Sequence, residues 1–210
     1  MSSSSAHSSI CDCDHSVCED SISDNISDSG TWGLSVQIDG AEDWWIESGV
    51  ARLPMGSTAS AKTILWHGDE LCDTDHEAAS HWESDSGTPH WGVICAGDAD
   101  DTAYIGECGH DIGYFPRIQK VINGELTEIG NDFDDVDAVI GVKLSTDFTP
   151  SAEQKLYTQV GAGAWTLQVT TTDTGISSGG KNVGLWGNIN GESVTLTDFA
   201  AGAIGTVNTF

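Results

Sequence analysis

The sequence predicts an all-β protein, a sandwich or barrel of antiparallel strands preceded by a short Cys-rich N-terminal arm. Three observations carry this. Short runs of alternating apolar and polar residues recur along the chain. Turn residues separate them, among them Asn123-Gly124 between two alternating runs, the strongest short-range hairpin signal. No stretch keeps a helical period beyond a single turn's worth at Glu77-Ala-Ala-Ser-His81. A chain of 210 residues is long enough to bury one large core without staples.

Residues 1–19 read as a polar arm carrying Cys11, Cys13, His15 and Cys18, and residues 20–210 as the sandwich domain. Trp32-Gly-Leu-Ser-Val-Gln-Ile38 alternates as a strand should. Trp44 to Leu53 is a strand pair broken at Ser48-Gly49, and Lys62 to Trp66 is the next strand. Residues 67–90, rich in Asp, His and Ser, read as a long polar loop of the functional kind. Strands follow at Trp91–Cys95, Ala103–Cys108, Arg117–Ile122, Glu125–Ile129 and Asp137–Leu144. The last four run over Gln154–Val160, Trp165–Thr171, Asn182–Trp186 and Glu192–Phe199, the first two joined by a Gly-Ala-Gly-Ala turn.

Thirty-three acidic residues against seven basic ones give a formal charge of −26, which excludes nucleic acid as a partner. Charge of this size disfavours compactness at low salt, so a halophilic, high-salt setting is one expectation. No run is long and apolar enough for a membrane span, so no membrane insertion is expected. The opening Met1-Ser-Ser-Ser-Ser-Ala-His-Ser-Ser has neither the basic nor the apolar part of a secretion signal.

The order of motifs resembles the concanavalin A-like (laminin G-like) jelly rolls found in phage and virus structural proteins and in bacterial surface proteins. Such domains carry a Trp followed by W-x-I-x-S-G-x-A-R-L, matched by Trp32 and by Trp44-Trp-Ile-Glu-Ser-Gly-Val-Ala-Arg-Leu53. A Gly-Val-x₄-Asp-Ala-Asp-x₂-Tyr element is matched from Gly92 to Tyr104, and a hairpin element from Lys120 to Gly130. The closing Val-Gly-Leu-Trp and Val-x-Leu-x-Asp-Phe-x-Ala-Gly are matched at Val183–Trp186 and Val194–Gly202. The resemblance covers residues 20–202 and departs at the start, where Asp20-Ser-Ile-Ser lacks the usual Phe and Arg. It implies calcium where the final strand meets the start of the domain, with Asp198 as the matching carboxylate and Asp20 or Asp24 as its partners.

Other candidate sites come from the residues themselves. Cys11, Cys13, His15 and Cys18 offer the thiolate and imidazole donors zinc takes. Disulfides, for example Cys95 with Cys108, are the competing use of the same residue type. His67, His76, His81 and His90 with Asp69, Asp73 and Asp75 read either as incidental loop residues or as a metal-ordered loop. Trp82, inside that polar stretch, is the exposed aromatic expected to meet a ligand. Gly175-Ile-Ser-Ser-Gly179 has the letters of a nucleophile elbow, but a strand rather than a helix follows it, so a turn is expected. The carboxylate pair of a glycosidase is not apparent, and no enzymatic activity is expected.

The resemblance places the chain first as an accessory virion structural protein, a capsid decoration or fibre component on the virion surface. Its expected partners are then capsid or tail proteins of the same particle, further copies of itself as a homo-oligomer, and a host-surface glycan. The alternative is a carbohydrate-binding module of a cell-surface or secreted, extracellular protein.

Overall fold

The computed structural model describes residues 18–24, 26, 32–39, 44–53, 61–83, 89–98, 101–110, 114–132, 136, 139–149, 152–176, 180–189 and 193–207. These residues form sixteen strands and no helix. In chain order they are β1 (Cys18–Glu19), β2 (Ser21–Asp24), β3 (Trp32–Asp39), β4 (Trp45–Glu47), β5 (Val50–Leu53), β6 (Ala61–Leu71), β7 (His76–Glu83) and β8 (His90–Gly97). The second half comprises β9 (Ala103–His110), β10 (Tyr114–Ile122), β11 (Glu125–Asn131), β12 (Val139–Asp147), β13 (Glu153–Val160), β14 (Thr166–Thr172), β15 (Asn182–Ile189) and β16 (Val194–Ala203).

They pack as two sheets. Sheet 1 runs β1-β6-β15-β8-β9-β10-β11, with β3 also on β6. Sheet 2 runs β14-β13-β12-β7-β16-β5-β4, with β2 also on β16. Pairing is antiparallel throughout except for β1 on β6, so Cys18 and Glu19, at the end of the expected arm, join sheet 1. The expected hairpins form. Asn123 and Gly124 take φ of 51° and 76°, and Ser48 and Gly49 take 55° and 84°, the left-handed pairs of a two-residue turn that matches strand twist.

Alternation in the strands sets the core. Trp91, Val93 and Cys95 on β8, Tyr104 and Cys108 on β9, and Leu185 on β15 point inward from sheet 1. Trp82, Val142, Leu144, Leu156, Leu196 and Phe199 meet them from sheet 2. A second apolar cluster, Ile64, Trp66, Ile94, Ile105, Val121 and Trp186, occupies the other face of sheet 1 and is equally buried.

The stretch 67–90 departs most from expectation. Residues 67–71 extend β6, and His76–Glu83 is β7, at the centre of sheet 2 rather than in a loop or helical turn. Its inward positions are His76, Ala78, Ser80 and Trp82, all buried. Small and polar residues serve there because their polar atoms are bonded: Ala96 N donates to His76 Nε2 at 3.0 Å, and Ser80 Oγ to the His81 carbonyl at 3.4 Å. A hydrophobicity pattern does not find such a strand.

Candidate functional site

The most constrained polar cluster lies on the outward face of sheet 1. The ladder aligns Trp186 with Gly92, Gly92 with Glu107, Glu107 with Arg117 and Arg117 with Asn131 across five adjacent strands. From β15, two strands away, the Trp186 indole donates Nε1–H to Glu107 Oε2 at 2.5 Å; at Gly92 between them a Cβ would run into the Gly106 carbonyl, so β8 and β9 approach closely there. Glu107 is fully buried. Its Oε1 accepts from Arg117 Nε at 2.5 Å, and His90 Nδ1 lies 2.8 Å away. Arg117 Nη2 pairs with the same oxygen.

Burial pushes the Glu107 carboxyl upward. The hydrogen bond from His90, the Arg117 charge and the Trp186 N–H outweigh that, and its pKa falls below the ordinary glutamate value. His90 Nδ1 is also 2.8 Å from Arg117 Nη2, and one nitrogen cannot donate and accept at once. The carboxylate is the stronger acceptor, so Nδ1–H donates to Glu107 and the guanidinium bonds the carboxylate directly. Gln119 completes the frame. With its amide oxygen turned to Arg117 it accepts from Nε at 2.7 Å. Glu128 Oε2 stands 3.9 Å from Nη1.

The result is a buried, ionised carboxylate holding a guanidinium and an imidazole, both partly exposed to solvent. The Arg117 side chain is 27 % exposed and that of His90 19 %. Such a frame fixes a donor, Arg117, and an imidazole beside it without further ordering cost on binding. It is poorly made for acid catalysis, since Glu107 stays ionised and both its oxygens are engaged.

The outward face of sheet 2 carries a second network. His81 Nε2 is 2.6 Å from Gln159 Oε1 and its Nδ1 is 3.4 Å from Asp198 Oδ2. The Trp165 ring lies parallel to His81, 6.1 Å between centroids, over Gly141, where a Cβ would sit 2.8 Å from the imidazole. Beside it the buried Lys143 faces Tyr157 and Trp165, with Nζ 3.5 Å from Glu77 Oε2. Lys143 Nζ also donates to the Val207 carbonyl at 3.1 Å, while Val207 N donates to Glu77 Oε1 at 2.8 Å. One buried ion pair thus satisfies both backbone groups of Val207 and latches the C-terminal segment onto the sheet.

The residues singled out in the sequence fare unevenly. Trp82 is no exposed platform. It is buried between the sheets, stacked on Trp91 at 5.5 Å and edge-on to Tyr114, because β7 turns it inward. The four histidines do not gather. His67 stacks on Phe199 in the core, His76 is buried on β7, and His81 and His90 lie on opposite outer faces. Among the described residues no group of three or more His, Cys, Asp or Glu is arranged to hold a metal ion.

Asp24 pairs with Phe199 and the Asp20 carbonyl lies beside Gly202, four residues along β16 from Asp198. Asp198 is engaged by His81 and by Thr197 Oγ1 at 3.2 Å, and the side chain of Asp24 lies outside the described residues. The zinc set Cys11, Cys13 and His15, with the side chain of Cys18, lies outside them too. Cys72 is disulfide-bonded, whereas Cys95 and Cys108 are free, buried and not paired with each other. Burial pushes both free thiols upward, which leaves them unreactive.

Sequence reading missed Glu107, Arg117, Gln119 and Trp186. One signal was there. Glu107 is in phase with Ile105 on an alternating strand, and one of only seven basic residues follows on the next strand.

No protein-family model and no curated protein matches the sequence. Solved structures do match in fold. The GH43 BlXynB protein from Bacillus licheniformis aligns with a TM-score of 0.57 at 13 % identity over 88 % of this chain, which spans 39 % of that one. The carbohydrate-binding module CBM66 from Bacillus subtilis aligns at 0.54 and 15 % identity, over 82 % of this chain and 96 % of the module. The VIP36 exoplasmic/lumenal domain, in its Ca2+/Man3GlcNAc-bound form, aligns at 0.56 and 13 % identity over 90 % of each chain. The fold is therefore a concanavalin A-like jelly roll, of the type shared by lectin-like domains and carbohydrate-binding modules.

Proposed function

We propose that this chain is a non-catalytic carbohydrate-binding module that works outside the reducing cytoplasm. The observation that carries the reading is the preorganised pair on sheet 1, Arg117 and His90 held by buried Glu107, with polar edges reaching solvent. A fixed guanidinium donor beside a fixed imidazole acceptor suits sugar hydroxyls, which both donate and accept. Company supports it: CBM66 and the glycan-bound VIP36 domain share the sandwich along most of their length. The disulfide at Cys72 supports an oxidising compartment.

This reverses the order of preference drawn from the sequence, where a virion decoration came first. The motif order behind that reading is a property of the sandwich, and the sandwich serves many functions. Catalysis is disfavoured by the engagement of Glu107, even though GH43 proteins share the fold.

A glycan array, followed by titration of each hit, tests the proposal. The wild-type chain binds at least one glycan, hydrolyses none, and loses about tenfold or more in affinity with Arg117→Ala. An Arg117→Ala protein that folds and binds as the wild type would refute the site. A wild-type chain that binds no glycan but copurifies with virus particles would restore the decoration role.

A further inference from the structure

Trp45 is 58 % exposed, the most exposed of the large hydrophobic side chains described. It stands directly opposite Arg52 in the β4–β5 ladder. Ala51 and Leu53 on either side of Arg52 point into the core, as does Trp44 beside Trp45, so Trp45 and Arg52 share the outward face of sheet 2. The tight turn at Ser48-Gly49 sets their spacing. Together with Ser48 and Val50 they line an open depression of about 200 Å³.

Two features set this place apart from an ordinary edge. The Trp45 indole carries neither a stacked ring nor a cation among the described residues. Arg52 reaches the other way, its Nε donating to Thr195 Oγ1 at 3.3 Å. And Arg52, like Lys62 and Lys181 but unlike Arg117, Lys120, Lys143 and Lys155, meets no carboxylate among the described residues, in a chain where acids outnumber bases 33 to 7.

We propose that Trp45 and Arg52 form a second carbohydrate subsite, for a neutral pyranose, on the face of the sandwich opposite the Arg117 cluster. The proposal rests on the reading of the chain as a glycan-binding module and extends it to two separate surfaces. The exposed indole offers a flat apolar face to the C–H side of a sugar ring, and the anchored guanidinium donates to its hydroxyls. A net charge of −26 disfavours an anionic sugar here. Because the two sites lie on opposite faces, one chain bridges two glycan strands.

The test titrates the full chain with neutral hexasaccharides of glucose, xylose, mannose and galactose. It measures calorimetric stoichiometry and acrylamide quenching of tryptophan. Acrylamide is uncharged, so the acidic surface does not repel it. Trp32, Trp44, Trp66, Trp82, Trp91 and Trp186 are buried, so quenching reports chiefly on Trp45 and the half-buried Trp165. The wild type takes up two sugar chains, and binding shields Trp45. Arg117→Ala keeps one site and the shielding. Trp45→Ala keeps one site without shielding, having lost about tenfold or more at the other. Trp45→Ala with wild-type stoichiometry and affinity overturns the proposal. If Arg117→Ala alone abolishes all binding, the glycan-binding reading stands and this subsite falls. If Trp45→Ala alone does so, the Trp45 subsite stands and the Arg117 cluster is not a site. A wild type that binds none of the four sugars overturns the subsite.

Discussion

His76 offers a direct test of how this core is built. It is buried on the central strand of sheet 2, and burial drops its pKa from 6.5 to about 4, against the pull of Asp73 and Asp75 nearby. Its Nε2 accepts from Ala96 N at 3.0 Å, so the proton sits on Nδ1, which donates to the Asp73 carbonyl at 3.2 Å. The Ala96 bond matters because Ala96 holds a φ of 55° at an irregularity in the β15–β8 pairing, a conformation that costs an alanine roughly 1 kcal/mol. Neutral His76 is thus built into the fold.

The sign follows from linkage. The unfolded chain takes up a proton at His76 as pH falls through 6.5, and the folded chain does not until about 4. Stability is whole above 6.5 and declines between 6.5 and 4. At about 1.4 kcal/mol per pH unit the full loss is roughly 3 kcal/mol. Glu107 and Asp173 have lowered pKa values, so they add to acid loss only near and below their unfolded values of 4.5 and 3.8. The window from 6.5 to 4.5 therefore isolates the histidines. Urea denaturation across that range is the assay, since guanidinium would screen the acidic surface. His76→Gln keeps an acceptor for Ala96 and does not titrate. Its stability should be lower at pH 7 by about 1–3 kcal/mol and flatter in pH by about one proton. Parallel curves for the two proteins would refute a neutral, buried His76.

Three further outcomes are expected. Lys143→Met leaves the buried Glu77 carboxylate unpaired and should cost about 3–5 kcal/mol, with the Glu77→Gln/Lys143→Met pair recovering part of it, as read by urea melts. Ser48→Asn, at an exposed left-handed turn position, should stabilise by about 0.5–1 kcal/mol; a loss of stability would contradict the turn assignment. Melting temperature should climb as sodium chloride rises from about 0.01 to 1 M, and any added effect of millimolar calcium should survive Asp198→Asn, whose carboxylate is already held by His81.

How far the sequence reveals this molecule depends on what each strand needs. Where a strand has one apolar face, as at Trp91–Cys95 or Ala103–Cys108, alternation alone places it and its inward side chains. Where the inward face is His, Ala, Ser and Trp, as on β7, the strand looks like a polar loop. Only the partners across the sheets show why it is buried. That one misreading moved Trp82 to the surface and grouped histidines that lie on different faces. The Arg117 cluster was hidden for another reason. Its members come from β8, β9, β10 and β15, and what joins them is register, which sets Trp186 two strands from Glu107 on one face.

The distribution of cations bears on the ligand class. Lys120 bonds Asp173 at 2.7 Å, Lys143 faces Glu77, Lys155 pairs with Glu153, and Arg117 is tied to Glu107. These four cations neutralise particular carboxylates and contribute little long-range positive field. What a ligand approaches is a strongly negative particle whose field reaches about 10 Å at 0.1 M salt. A sulfated or uronate glycan pays that repulsion at either proposed surface, and a neutral one does not. Affinity for neutral oligosaccharides should therefore stay flat from about 0.05 to 0.5 M sodium chloride, while that for any anionic analogue rises with salt. Binding of an anionic glycan that weakens as salt rises would mean that Arg117 and Arg52 present a local positive field after all, and the preference for neutral sugars would be wrong.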